Sequence, residues 1–331
     1  MAYQEYSITT LDDVPALVRS FAANMGWNVV GGNLRHPNYD GAGPGGLAFE
    51  IYTVSNSLNH DLFFRCTTVP SRSARIRAPI WSTTVTPFSG YKVAPTKLFL
   101  IGMLDPEPYI AVVVEFGYNL YRHLYLGYME KQGTYGGGSV LGACTGVEVS
   151  VNGTPHFKDT NYLHYLFQGH QRMTSASEGG GVEVIQADIP NPWRNFRDIN
   201  GAPPNSTLMP NVNDNTCAYG GFGDDLNDNY VYKGKSSIAG ANVLVPINCA
   251  VVRHIGTDFR LKPIGIPTGV RMINIQEIEP QAQIEVGGDN WYVFAAISKN
   301  ADVYGNRRPN EVGNRYRISE SSYYLGYAYR G

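Results

Sequence analysis

The sequence has little charge for its length. Charged residues make up 16% of its 331 residues, below the roughly 25% that is typical of globular chains. The 26 basic and 28 acidic residues nearly cancel and leave a net charge of −2. The densest basic stretch holds Arg72, Arg75 and Arg77, which are too few for the electrostatic surface of a nucleic-acid-binding protein. The composition therefore predicts no direct contact with nucleic acid.

Three further features are missing. No stretch reaches the roughly 20 consecutive apolar residues that span a bilayer, so no membrane insertion is expected. The N-terminal sequence has neither the basic start nor the apolar run of a signal peptide, which predicts synthesis in the cytoplasm without general export. The four cysteines, Cys66, Cys144, Cys217 and Cys249, lie far apart and form no CxxC pair. They predict buried free thiols rather than disulfides or zinc ligands.

Glycine, proline and tyrosine are abundant instead, with 37, 20 and 23 residues. This mixture suits short strands joined by tight turns, and it argues against disorder, which requires few aromatic residues. We therefore predict a mainly β (α+β) fold. It consists of antiparallel, sandwich-like sheets with an N-terminal helix and a loop-rich central insertion.

The chain divides into three predicted regions. Residues 1–150 contain an amphipathic helix in TTLDDVPALVRSFAANMGW, which Thr10 can cap. Residues 27–30 are the first predicted strand, and strand after strand follows. Residues 151–244 form a loop-rich insertion with one short predicted helix in TNYLHYLFQGHQRM. Residues 245–331 form a C-terminal β segment that is expected to pack with the first region.

Several groups of residues are candidates for a metal-binding or nucleotide-binding site. His164 and His170 are six residues apart, so a continuous helix does not align them on a metal. Asp224, Asp225 and Asp228 do not match the spacing of an EF-hand loop, and whether that loop binds Ca²⁺ stays open. GTYGGGSVLG lacks the spacing of a nucleotide-binding loop. No catalytic, cofactor-binding or metal-binding residue is predicted, and we expect that the chain is not an enzyme.

The stretch GYNLYRHLYLGYME, residues 117–130, has two different faces. With the period of a strand, its leucines lie on one face and Tyr121, His123 and Tyr125 lie on the other. The aromatic face is buried either in a two-layer core, with tyrosine hydroxyls on backbone partners, or against a neighbouring subunit. Arg122 and His123 favour the subunit, because each needs a polar partner once it is buried. The predicted interface residues are Tyr121, His123, Tyr125, Tyr323, Tyr327 and Trp193.

Three stretches together resemble a known group of proteins. They are EPYIAVVVEFGYNLYRHLYLGYMEKQGTYGGG, IEVGGDNWYVFAAIS and the terminal SSYYLGYAYRG. These stretches resemble virion structural proteins of tailed bacteriophages, of the tail and baseplate kind. The resemblance covers about a third of the chain, mainly residues 107–138 and 270–331, and it carries over no functional residues.

The resemblance implies a non-enzymatic subunit in a six-fold or three-fold ring around the tail axis, in contact with other tail or baseplate proteins. It implies a place in the virion after synthesis in the host cytoplasm. In a ring, each subunit contacts its two neighbours through two different surfaces. An alternative is a β-rich module that binds a host receptor or surface glycan, with Trp193 and Trp291 as stacking residues. A polysaccharide-degrading enzyme is a weaker alternative, because no catalytic motif accompanies it.

Overall fold

The structure is a computed structural model. It describes residues 2–37, 48–55, 60–66, 73–77, 80–81, 91–92, 94–106, 108–116, 120–132, 139–144, 166, 185–186, 237–238, 241–247, 249–255, 258–296 and 325–331. In this part of the chain the fold is mainly β, with antiparallel sheets and one α-helix near the N-terminus, as the sequence predicts.

The helical elements are a 3₁₀ turn, Leu11–Asp13, and helix α1, Val14–Asn24. The strands before residue 150 are β1 Ala2–Ser7, β2 Asn28–Val30, β3 Asn33–Arg35, β4 Ala48–Ser55, β5 His60–Cys66, β6 Ser73–Arg77, β7 Ile80–Trp81, β8 Tyr91–Lys92, β9 Pro95–Met103, β10 Tyr109–Phe116, β11 Leu120–Lys131 and β12 Ser139–Cys144. The later strands are β13 Ile185–Gln186, β14 Ser237–Ile238, β15 Ala241–Asn242, β16 Val245–Pro246, β17 Cys249–Ile255, β18 Asp258–Pro267, β19 Val270–Asn274, β20 Gln283–Val286, β21 Asp289–Ala295 and β22 Leu325–Arg330.

Helix α1 forms where the apolar spacing predicts it. The Thr10 hydroxyl accepts a hydrogen bond from the backbone N–H of Asp12 at 3.2 Å and starts the 3₁₀ turn. Pro15 lies in the first turn, where its missing N–H costs no helical hydrogen bond. Gly26, with φ +99°, ends the helical segment in a conformation that glycine tolerates best. The buried stripe comprises Leu11, Val14, Val18 and Phe21.

The central sheet runs in the order β1-β9-β10-β11-β12-β13, and β18 also pairs with the end of β11. Strand β10 lies in its middle and every residue of that strand is buried. The register aligns Phe99, Val113 and His123 across β9, β10 and β11. Side chains at odd-numbered positions of these strands therefore share one face, and even-numbered side chains share the other.

A second sheet covers the odd-numbered face. This C-terminal sheet has the order β16-β19-β22-β21-β20. Phe99 packs against Phe294 with ring centroids 4.9 Å apart, and Tyr3 stacks on Tyr292 at 4.0 Å. Two antiparallel sheets thus enclose one core, and strands of residues 245–331 pack on strands of residues 1–150.

Helix α1 and a third sheet lie on the even-numbered side. This N-terminal sheet runs in the order β2-β3-β4-β5-β6. Met25 approaches the central sheet so closely that a Cβ on Gly102 would lie 2.8 Å from its Cε. Arg19 Nη1 donates to the carbonyl oxygen of Ile51 at 3.4 Å, which ties the helix to the N-terminal sheet. A Cβ at position 102 would also lie 2.8 Å from the carbonyl oxygen of Tyr109, which cannot move aside as the Met25 side chain can, so this position requires glycine.

Of two local predictions from the sequence, one is confirmed and one is wrong. The sequence VGGDN at residues 286–290 predicts a hairpin, and β20 and β21 pair around Gly287 and Gly288, which both have positive φ. The first strand, however, is β1 and not residues 27–30. Its sequence AYQEYS has no apolar run, because β1 is an edge strand with mostly half-buried side chains. Of the predicted central helix, only Leu166 belongs to the described residues.

Candidate functional site

His123 of β11 lies between the central and C-terminal sheets. Its Nε2 lies 2.8 Å from the carbonyl oxygen of Ala295, and its Nδ1 lies 2.8 Å from the hydroxyl of Tyr329. A carbonyl oxygen can only accept, so Nε2 carries the proton and Nδ1 accepts a hydrogen bond from the Tyr329 hydroxyl. Both polar atoms of the neutral ring are thus satisfied inside the fold.

The surroundings of His123 keep its imidazole neutral. Burial lowers the pKa of His123 to about 3, because the charged ring would lose its hydration. The hydrogen bond to the Ala295 carbonyl raises this pKa in part, and the positive charge of Arg122 lowers it further. His123 therefore serves as a fixed hydrogen-bonding link between two sheets and not as a proton carrier near neutral pH.

A second polar group closes the edge of the same core. Gln281 Nε2 lies 3.1 Å from Glu115 Oε2 and 2.9 Å from the Tyr121 hydroxyl. Lys97 Nζ lies 3.5 Å from Gln281 Oε1, and it forms a 2.8 Å ion pair with Glu5 at the surface. We call these five residues the rim cluster. They join four strands of the central sheet, β1, β9, β10 and β11, to the turn before β20.

The rim cluster contains a carboxyl group with a raised pKa. Burial is the main cause at Glu115, and the Lys97 charge and the Gln281 hydrogen bond oppose it. Gln281 is the one non-glycine residue with positive φ, +71°, in the described chain. Such a conformation persists where surrounding contacts hold it, and here the side-chain hydrogen bonds hold Gln281. The cluster can fasten the two sheets together at their rim.

The predicted interface residues of β11 and β22 occupy the interior instead. Tyr121, His123, Tyr125 and Tyr327 are each at most 1% exposed within a single chain. The Tyr125 hydroxyl donates to the carbonyl oxygen of Thr268 at 2.8 Å, and the Tyr327 hydroxyl accepts from the N–H of Leu166 at 2.8 Å. The subunit reading of these four residues is corrected: the C-terminal sheet of the same chain covers the aromatic face.

Two predicted interface residues, Tyr323 and Trp193, lie outside the described residues. Trp291, the second stacking candidate for glycans, is only 6% exposed, and the Arg271 guanidinium carbon lies 5.8 Å from the centroid of its ring. A sugar cannot stack on a ring that the fold already covers. Trp291 is therefore a packing residue of the C-terminal sheet.

Arg122 points to the opposite face of β11 and is 1% exposed. Its Nη1 donates to the carbonyl oxygen of Tyr121 at 3.0 Å. Its Nε is buried and has no hydrogen-bond partner among the residues that the structure describes. The sequence pattern places Arg122 on the leucine face but gives no sign that a guanidinium is buried there.

The β2–β3 hairpin carries exposed apolar side chains. Val29 and Val30 are 37% and 51% exposed, and they are the exposed large hydrophobic residues of the described chain. Strand β2 is an edge of the N-terminal sheet, and Gly31 and Gly32 form its turn with positive φ. No described strand pairs with the outer side of β2, and a sheet edge with apolar side chains is a surface onto which another strand can add.

Other candidate chemistry falls largely outside the described residues. The part that is not described contains His164, His170 and the acidic residues 224–228. Within the described ranges, no three His, Cys, Asp or Glu side chains come close enough to hold a metal ion. No helix in these ranges is long and apolar enough to cross a membrane.

A scan against models of known protein families finds no match, and a search of curated proteins finds no similar sequence. Function is therefore inferred from the residues and the fold.

Proposed function

We propose that this chain is a non-enzymatic structural subunit of a tailed-phage virion, where copies form a ring in the tail or baseplate. The resemblance of residues 107–138 and 270–331 to tail and baseplate proteins supports the class of particle. The observation that carries subunit contact is the β2 edge, with Val29 and Val30 exposed by 37% and 51%. Large apolar side chains at a sheet edge favour pairing with a second chain, because soluble proteins normally protect such edges.

The fold is suited to a structural subunit of an assembly. Three sheets and a helix share one continuous apolar core, and polar links such as His123 with Ala295 fix the sheets to each other. A subunit with a rigid interior can place its edges at a constant distance, which closure of a ring requires. The interface lies at sheet edges in this proposal, and the aromatic side chains of β11 belong to the core.

The assembly is tested with purified protein and with virions. Light scattering after size exclusion measures the mass of the wild type and of a Val29→Ser, Val30→Ser double variant across a wide range of concentration. The wild type should form a closed oligomer and the variant should remain a monomer. The matched control changes a different edge strand, β20, at the exposed residues Gln283 and Glu285 to serine and should assemble normally.

Mass spectrometry of purified virions tests the particle. The chain should occur there at a copy number consistent with three-fold or six-fold symmetry. A wild type that stays monomeric at every concentration and is absent from virions would refute the proposal. Glycan binding by the wild type that Trp193→Ala removes would favour the receptor-binding alternative instead.

A further inference from the structure

The guanidinium of Arg122 is a buried charge in an apolar setting. Directly opposite Arg122 on β10 is Val114, and Leu98 continues that row on β9. Leu124 is its neighbour on the same face of β11. These three side chains are all 0% exposed. Arg122 thus sits among hydrocarbon side chains on the face that helix α1 and the N-terminal sheet share.

Arg122 makes fewer hydrogen bonds to described residues than its guanidinium can donate. A guanidinium has five N–H donors and one full positive charge. Among the described residues, Arg122 makes one hydrogen bond, from Nη1 to the neutral carbonyl of Tyr121, and its buried Nε has no partner there. The positive charge of Arg122 also lowers the pKa of the adjacent His123. The charge of Arg122 is therefore not balanced by the described groups around it.

Burial of an unbalanced charge is costly. Removal of an ion from water costs several kcal/mol even after relaxation, and proteins offset this cost by pairing the charge. The guanidinium fork matches two oxygens of a carboxylate or a phosphate, which makes these groups the natural partners of a buried arginine. A neutral ligand would satisfy donors but would leave the charge.

We propose that Arg122 is the receptor of an oxyanion, a carboxylate or phosphate group, that binds on the leucine face of β11. The oxyanion is either a small free anion or a carboxylate from a second copy of the chain; the chemistry at Arg122 is the same. Because a ligand that binds only the folded state stabilises it, occupancy couples to folding. The site stands apart from the β2 edge and does not depend on the proposed ring.

The first experiment titrates the wild type with inorganic phosphate. Urea unfolding is followed in a chloride buffer without other oxyanions, at constant ionic strength. At 100 times the dissociation constant, phosphate should raise the ratio of folded to unfolded protein about 100-fold, and the gain should saturate as a single site does. Phosphate also stabilises proteins in general by exclusion from their surface, so variants must separate the two effects.

Two variants provide that separation. Arg122→Met should keep only the general, non-saturating effect of phosphate, and without oxyanion it should be at least as stable as the wild type, because an unbalanced buried charge has gone. Arg19→Met removes an arginine that is only half-buried and donates to the Ile51 carbonyl. It should keep the full saturable gain.

The source of the oxyanion is distinguished by protein concentration. The comparison uses the Val29→Ser, Val30→Ser variant, because assembly through the β2 edge would itself make stability depend on protein concentration. If a second copy supplies the carboxylate, the stability of this variant rises with protein concentration in the phosphate-free buffer, and a further Arg122→Met change abolishes that rise. If a free anion is the ligand, the stability of this variant is independent of protein concentration and follows phosphate alone. Absence of both dependences in this variant overturns the proposal. Global unfolding of Arg122→Met would do the same, since it shows that the charge is paired within the chain.

Discussion

Acidification from pH 7 to pH 5 should weaken the fold through His123. The folded state holds its imidazole neutral between the Ala295 carbonyl and the Tyr329 hydroxyl. The pKa of His123 is lowered by burial to about 3 in the folded chain, whereas an exposed histidine titrates near 6.5. Below pH 6.5 the unfolded chain therefore binds a proton that the folded chain does not bind.

The sign and size of the effect follow from this difference. The stabilisation is fully present above pH 6.5 and is lost as the pH falls toward 3. Each pH unit within that window changes the free energy of unfolding by roughly 1.4 kcal/mol for one such group. At pH 5 the wild type should therefore have lost about 2 kcal/mol through His123 alone.

Urea denaturation at a series of pH values measures the loss. The decisive variant combines His123→Phe with Tyr329→Phe, which removes the titrating ring and the hydroxyl that bonds it. Its free energy of unfolding should fall less than that of the wild type between pH 7 and pH 5, by about 2 kcal/mol. The single variant Tyr329→Phe keeps the imidazole and should retain most of the pH dependence.

Other titrating groups cancel in this comparison. His36 also has a pKa lowered by burial, and Glu115 has a raised pKa, which acts in the opposite direction because acid then favours the folded state. Both groups remain in the wild type and the variants. Equal pH dependence in the wild type and the double variant would refute the assignment of a buried, neutral His123.

Four further substitutions test the packing. Gly269→Ala should cost at least about 3 kcal/mol, because its φ is +64° and a Cβ would overlap the Tyr109 ring; Gly288→Ala, with φ +84° in open space, should cost only about 1 kcal/mol by thermal unfolding. Glu115→Gln at pH 8 should gain at most about 1 kcal/mol in urea, a gap that closes on acidification. Phe294→Ala should lose about 3–5 kcal/mol. The opposite ranking of the two glycines, a loss for Glu115→Gln or a neutral Phe294→Ala would contradict this packing.

The two faces of β11 show which part of the fold the sequence can predict. Alternation correctly separates Leu124 from His123, because successive side chains of a strand point to opposite faces. What covers each face is not local information. Ala295 and Tyr329, the partners of His123, are 172 and 206 residues further along the chain. The sequence indicates that a buried His123 needs polar partners, but that these partners belong to the same chain follows only from the packing of the two sheets.

No pattern in the sequence predicts the rim cluster. Gln281 lies between two elements in a turn, and nothing in its neighbours indicates a left-handed φ of +71°. Glu115 is the single acid in an otherwise apolar strand, YIAVVVEF, which hints at a buried partner. The partner itself, 166 residues away, follows only from the packing of the two sheets.

In this protein, a high tyrosine content therefore does not by itself indicate contact between copies. Tyrosine is amphipathic, so its ring can fill a core while its hydroxyl bonds a distant backbone group, as Tyr125 does with the Thr268 carbonyl. Tyr125→Phe should accordingly lower the free energy of unfolding by about 1 kcal/mol without changing the oligomeric mass of the folded protein. The Val29→Ser, Val30→Ser variant should change the oligomeric mass without lowering the free energy of unfolding, because Val29 and Val30 are exposed at a sheet edge. If light scattering found instead that Tyr125→Phe dissociates the oligomer at unchanged stability, the aromatic face and not the sheet edge would be the contact between copies.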